Sequence, residues 1–369
     1  MPSLQVSRMT DVPGTESLLR RLSAAVLAVI CVFLCACGKT GTADNQALRK
    51  YSGTVSAFDT VIDISAWCAD QDEFDALYSY ADDLFTGYHR LFDIYDTYPG
   101  IVNLKNINDA AGTEPLEAGG ELLGFLHFGA DVCEMTGGNV NIAMGAVLKL
   151  WHDAREHSNA FPDSPVLPDE DALREAGRHC SIDALVIDDE HSAVLITDPL
   201  TSLDVGALAK GYATEKVAQK LMERGFASFL INAGGNVRLA GSKPSGDWTV
   251  AVTNPDRTSS EPYLGTVQVP DCAVVTSGIY QRFFTAGGRC YHHIIDRDTL
   301  YPEERYQAVT VICADSAIAD AYSTALFNMP ADEGEKLVEN TEGLEAMWVD
   351  YDFTVRMSSG FRNIYKPII

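Results

Sequence analysis

The stretch LDVGALAKGYATEKVAQKLMERGFASFLINAGGN, residues 203–236, decides the fold class. Leu208 to Arg224 carries apolar residues at helical spacing, and Ser228 to Asn232 reads as a strand running into the paired glycines Gly234 and Gly235. A tight turn explains those glycines. No G-x-G-x-x-G follows a strand here or elsewhere, so a Rossmann dinucleotide domain is excluded.

Outward from this stretch, helices and strands alternate irregularly. Upstream, residues 53–64 alternate as a strand or hairpin, and Asp70 to Leu91 has Phe74, Leu77, Tyr78, Ala81, Leu84 and Phe85 at helical spacing. Leu116 to Thr136 reads as a second helix, ended by Gly137 and Gly138. Asn141 to Trp151 reads as a buried apolar segment, and a loop rich in proline and polar residues is expected between Trp151 and Pro168. A helix (Asp169 to Gly177) and two strands (Ala184 to Asp188, Ala193 to Thr197) follow. The later half is strand-rich: Trp248 to Thr253, Gly265 to Val269, Ala273 to Thr276, Tyr291 to Ile295 and Ala308 to Cys313. A helix from Ile318 to Leu326 and a last strand near Ala346 to Val349 close the chain. No fixed-period repeat is present. The pattern implies an α+β protein with mixed, largely antiparallel sheets flanked by helices.

The 369 residues carry a net charge of -25 and no Lys/Arg block, which excludes a nucleic-acid partner because phosphate neutralisation needs a basic face. Arg20 and Arg21 precede the apolar run Leu22 to Cys37, which has the length of a signal h-region. It ends in Leu34, Cys35, Ala36 and Cys37, which resembles the bacterial lipoprotein box. Residues 1–36 are therefore expected to be a signal peptide, with Met9 a second candidate start, and Cys37 the lipidated residue. Residues 37–50 would be a polar tether and 51–369 the functional domain, outside the cytoplasm and anchored to the cell membrane by lipid. The six cysteines beyond the leader (Cys68, Cys133, Cys180, Cys272, Cys290, Cys313) lack zinc-ligand spacing and read as small core residues rather than a disulfide framework.

Four segments combine glycine with polar groups in apolar surroundings, where a backbone approaches a ligand closely. Asp204 and Lys210 flank a glycine at a helix start; they are either a helix cap and a solvent lysine or a phosphate site. Asn232 precedes the Gly234–Gly235 pair. Thr276, Ser277, Gly278, Tyr280 and Arg282 precede His293 and Asp296, and a neutral imidazole is a natural base for a hydroxyl. Asp320 and Thr324 stand i,i+4 on one helix face, a spacing that suits either a helix N-terminus or two hard oxygen ligands for Mg²⁺.

Taken together and in this order, these segments resemble the signatures of the ApbE family of FAD:protein FMN transferases, from about Tyr51 to Val349, and residues 138–151 add a further match ending in Trp151. The resemblance implies that Asp320, Thr324 and the carbonyl of Ala207 hold Mg²⁺. Asp204, Lys210 and Ile295 would contact FAD, and His293 would be the base for an acceptor threonine. Tyr95 would cover the flavin, with Phe58, Val140 and Asn141 beside it. Phe58, Asp59 and Thr60 stand where the family usually has Met-Gly-Thr, so the Asp59 side chain must find space; residues 297–302 also depart from the family's usual Thr-Gly before Pro302. The implied reaction moves FMN from FAD to a threonine of another exported or membrane protein, such as a redox-pump subunit or a flavin-binding electron-transfer protein, and releases AMP. FAD pyrophosphatase activity and a non-catalytic flavin-binding lipoprotein are the alternatives.

Overall fold

The first two strands, β1 (Arg49–Ala57) and β2 (Thr60–Cys68), pair in full register from Arg49↔Cys68 to Ala57↔Thr60. Only Phe58 and Asp59 are left for the turn, and both have φ of 54°. Two successive left-handed residues make a primed hairpin turn, whose twist matches that of the strands. Asp59 points into solvent, which is how this sequence accommodates a side chain at a position suited to glycine. The computed structural model describes residues 47–368, and residues 48–368 belong to one compact unit. The proposed signal peptide and Cys37 lie outside the described residues.

Six further strands extend the hairpin: β3 (Phe229–Ala233), β4 (Asn236–Ala240), β5 (Cys272–Gly278), β6 (Tyr306–Cys313), β7 (Glu345–Asp350) and β8 (Val355–Met357). Their spatial order is their chain order, every pair is antiparallel, and the long connections leave from the strand ends. Three helices cover one face: α1 (Gln71–Phe92), α2 (Ala209–Glu223) and α3 (Ser316–Asn328). A three-stranded sheet of Trp248–Thr253, Tyr263–Val269 and Tyr365–Pro367 packs on the other. Along β6, Val309 and Val311 enter the helix-side core while Ala308 and Ile312 enter the other. With both faces covered, all its residues are buried, and the polar/apolar alternation of a half-exposed strand is lost. The register shift between Tyr306 and Ala308 turns Tyr306 back to the helix side.

Several local expectations need correction. The loop expected from Trp151 to Pro168 is helical as far as Ala160, within a helix spanning Gly145–Ala160. Its polar residues are the solvent face, and Val147, Trp151, Ala154 and Ser158 are the buried stripe. The helix expected from Leu116 begins only at Gly120, because Leu116–Glu117 pairs as a short strand with Ala193–Ile196. The strand expected at Tyr291–Ile295 is Arg289–His292, paired with an unexpected strand Phe283–Ala286; it ends where the Ile294 amide donates to His292 Nδ1 at 3.2 Å. The strand near Ala346 is not the last, since β8 and Tyr365–Pro367 follow it. The six cysteines are unpaired, and four of them are buried.

Candidate active site

The ends of β2, β3, β4 and β5 open on one cleft of about 1210 Å³, larger than the ~300–1,000 Å³ of ordinary small-ligand sites. All eleven site residues expected within the described chain border it: Phe58, Tyr95, Val140, Asn141, Asp204, Ala207, Lys210, His293, Ile295, Asp320 and Thr324. They come from segments as far apart as the first hairpin and α3.

Two turns frame the cleft. The β3–β4 loop consists of Gly234 (φ 61°) and Gly235 (φ 96°), the residues best suited to a primed turn. A Cβ on Gly234 would come within 2.8 Å of Thr60 Oγ1, so this turn and the Phe58–Asp59 turn are nearly in contact.

Behind them, α2 and α3 cross closely. A Cβ on Gly211 would lie 2.4 Å from the Asp320 Cβ and 2.7 Å from the Ser316 carbonyl, so only glycine fits here. The approach lets the Gly211 amide donate to Asp320 Oδ2 at 2.8 Å, and the Lys210 ammonium lies 3.8 Å from the same oxygen. Asp320 is 4 % exposed, and burial raises its carboxyl pKa, opposed in part by Lys210 and the Gly211 amide. Thr324 stands one turn further along, its hydroxyl 3.4 Å from Ser277 Oγ. The start of α3 is held by a buried network that the sequence reading did not single out. Glu215 Oε2 accepts from the Ser316 amide and from Arg238 Nε, each at 2.9 Å, and Ser316 Oγ donates to Asn236 Oδ1 at 2.6 Å.

Asp204 resolves one of the open readings. It does not cap α2, which starts after Leu208 without a side-chain cap. Its Oδ1 accepts from the Gly206 amide at 2.9 Å, it remains partly accessible through the cleft, and its deep setting raises its pKa. Asn141 Oδ1 accepts from the Ala143 amide at 2.9 Å and its Nδ2 donates to the Cys180 carbonyl at 2.7 Å. This side chain therefore shapes the loop that presents Val140. Tyr95 is 56 % exposed at the rim, its ring 5.6 Å from that of His152.

The adjacent histidines have different roles. His292 donates from Nε2 to the Glu303 carbonyl at 2.7 Å and accepts at Nδ1, so both nitrogens are occupied; burial lowers its pKa to about 4. His293 makes one bond, from Nδ1–H to the Arg282 carbonyl at 3.3 Å. That bond leaves Nε2 as the free acceptor of a neutral ring. Burial, reinforced by His292, Arg282 and Lys210, lowers the His293 pKa to about 3. Arg282 and Ser277 also border the cleft; both lie in the Thr276–Arg282 segment that drew attention in the sequence without a role.

A family model described as the ApbE family matches residues 58–348. The chain belongs to the ApbE family. Among its relatives, a "FAD:protein FMN transferase" of Treponema pallidum is 33 % identical over 275 residues, covering 70 % of this chain and 73 % of that protein. A protein of the same name from Klebsiella pneumoniae is 27 % identical, covering 76 % and 87 %. The crystal structure of an ApbE protein from Thermotoga maritima superposes with a TM-score of 0.76 at 25 % identity, covering 86 % of this chain and 100 % of that one. The flavin transferase ApbE of Vibrio cholerae shares the fold, with a TM-score of 0.72 at 22 % identity over 86 % and 99 % of the two chains. The α+β architecture is thus that of the family.

Proposed function

We propose that this ApbE-family chain is a flavin transferase that moves the FMN half of FAD to a threonine hydroxyl of another protein and releases AMP. The observation that carries the reading is the meeting, in one cleft, of a neutral His293 with a free Nε2 and the buried Asp320–Lys210 pair. The residues suit Mg²⁺. Asp320 is a carboxylate whose pKa is raised by burial, so a bound cation would favour its charged form, and Thr324 and the Ala207 carbonyl add hard oxygens. Among the described residues no three His, Cys, Asp or Glu side chains cluster, so Mg²⁺ would have to take its remaining ligands from phosphate and water. Bound there, Mg²⁺ would neutralise the pyrophosphate and the departing AMP.

The protein's own groups account for the rest. Lys210 faces the phosphates, Tyr95 covers the flavin ring, and Val140 and Ile295 line its apolar side. His293 Nε2 takes the threonine proton as the threonine oxygen bonds to the FMN phosphorus; the bond from that phosphorus to the bridging oxygen breaks, and AMP leaves with the oxygen. The negative phosphates of FAD oppose the two cationic neighbours, Arg282 and Lys210, that help lower the His293 pKa, so the ring becomes a better base once substrate is bound. Water in place of threonine would give FMN and AMP. The acceptor is proposed to be an exported or membrane protein, with Cys37 as a lipid anchor. Among the described residues no helix is long and apolar enough to cross a membrane.

The test is mass spectrometry of a threonine-containing acceptor domain incubated with leaderless protein, FAD and Mg²⁺, alongside Asp320→Ala and His293→Ala. Addition of FMN that disappears without Mg²⁺ or in either variant supports transfer. AMP release without labelling points to hydrolysis, and FAD binding without either product points to a carrier.

A further inference from the structure

Besides the turns and loops that carry most of the expected FAD contacts, the cleft also reaches the three-stranded sheet. There it is bordered by Thr249, Val250, Ala251 and Thr253 of the strand Trp248–Thr253. Successive side chains of a strand point to opposite faces, so a cavity touched by three consecutive residues meets the strand's edge rather than one face. This strand is the outer one of its sheet. Its main chain pairs with Tyr263–Val269 and with nothing else among the described residues. Alternate amides and carbonyls on its free side are therefore open to a partner. Common defences of such an edge are weak here. Thr249 and Ala251 on the exposed face are small and uncharged, and the register shift lies at the far end, between Val252 and Thr253.

We propose that this edge is the docking strand for the acceptor, which adds an extended segment beside Trp248–Thr253 and thereby leads its threonine into the cleft. The inference rests on the transferase reading. The chemistry requires a hydroxyl on a polypeptide to reach a phosphorus inside the cleft, and an extended strand is narrower than a helix, which is about 10–12 Å across. Main-chain pairing supplies affinity without demanding a particular sequence, and small side chains at Thr249 and Ala251 leave room for the incoming strand. Arg257, exposed with its guanidinium 4.3 Å from the Tyr280 ring centre, stands at the end of this sector and makes no ion pair among the described residues, so a neutral or acidic segment suits it.

The experiment uses the leaderless enzyme with FAD, Mg²⁺ and the best acceptor from a library of heptapeptides with a central threonine. That peptide is then N-methylated one residue at a time. Strand addition predicts that methylation at alternate residues raises the peptide KM, by about tenfold for each hydrogen bond lost, while the positions between are tolerated. Ala251→Pro is expected to raise KM for the unmodified peptide to a similar extent, with the FAD Kd and the rate of FAD hydrolysis unchanged. Uniform tolerance of methylation, failure of every heptapeptide while FAD is still cleaved, or a dimer of this chain that Ala251→Pro dissociates would each overturn the inference. Absence of any FAD cleavage would instead sink the transferase reading.

Discussion

Asp320→Asn removes one charge and almost no volume, and the structure predicts opposite effects on stability and activity. In the ligand-free protein burial raises the carboxyl pKa despite Lys210 at 3.8 Å and the Gly211 amide at 2.8 Å. A carboxyl with a raised folded pKa contributes stability that is fully present below its unfolded pKa of about 3.9 and is lost as pH rises through the folded value. Asparagine has no such loss. Its side-chain oxygen can still accept from the Gly211 amide, and Lys210, 23 % exposed, can turn its ammonium to water in the cleft. At neutral pH the ligand-free variant is therefore expected to melt at the same temperature as the wild type or higher, by ~2–4 °C for each kcal/mol of burial cost removed. Activity moves the other way. With its one carboxylate ligand gone, the proposed Mg²⁺ site is expected to lose at least ~10³ in FMN transfer, about 4 kcal/mol of barrier. Scanning fluorimetry with and without Mg²⁺ gives a readout independent of turnover. At one hundred times its Kd the ion adds about 2.7 kcal/mol to the wild type and nothing to the variant. A variant that melts more than about 5 °C below wild type, or that keeps the Mg²⁺ shift, would refute this reasoning.

Replacing His293 by Gln is expected to lower kcat for transfer by ~10²–10⁴ while the FAD Kd, measured by flavin fluorescence, stays within about twofold. His292, held neutral with a pKa lowered to about 4, makes the fold lose stability as pH falls from about 6.5 toward 4, because the unfolded chain binds the proton first; the loss is up to about 3 kcal/mol. His292→Gln, which can still donate to the Glu303 carbonyl, should flatten that part of a denaturant-midpoint profile, and an unchanged slope would assign the acid sensitivity elsewhere. Asp59→Gly relieves a left-handed residue in the β1–β2 turn and is expected to stabilise the protein by about 1 kcal/mol in urea titrations. Cys37→Ser is expected to move the protein from the membrane to the soluble fraction on cell fractionation.

The site was more legible in the sequence than the fold around it. Asp204, Lys210, His293, Asp320 and Thr324 sit in short polar segments, several marked by glycine, whose order resembles the family's signatures, and the structure places them all on one cleft. The difference between His292 and His293 was not readable, because it depends on the Glu303 and Arg282 carbonyls, which the fold alone brings within reach. Glu215 was missed for a similar reason: a carboxylate on a helix is ordinarily a solvent residue, and its partners Arg238 and Ser316 are distant in sequence. Among the elements, the helix Gly145–Ala160 was underestimated because its outer half is so polar, and β8 and Phe283–Ala286 because three or four residues carry too little periodicity to register.

The six unpaired cysteines differ in how far burial suppresses their reactivity. Burial pushes Cys272 and Cys313 to about 12 and Cys68 to about 11. Since only the thiolate attacks a disulfide or an oxidant, the reactive fraction of Cys272 and Cys313 near neutral pH is on the order of 10⁻⁵. Once folded, these thiols are poor nucleophiles, and the native state is held by packing with its six described cysteines unpaired. Cys180 and Cys290 are only half-buried, and although burial raises their pKa values too, they are the more accessible thiols among the described residues.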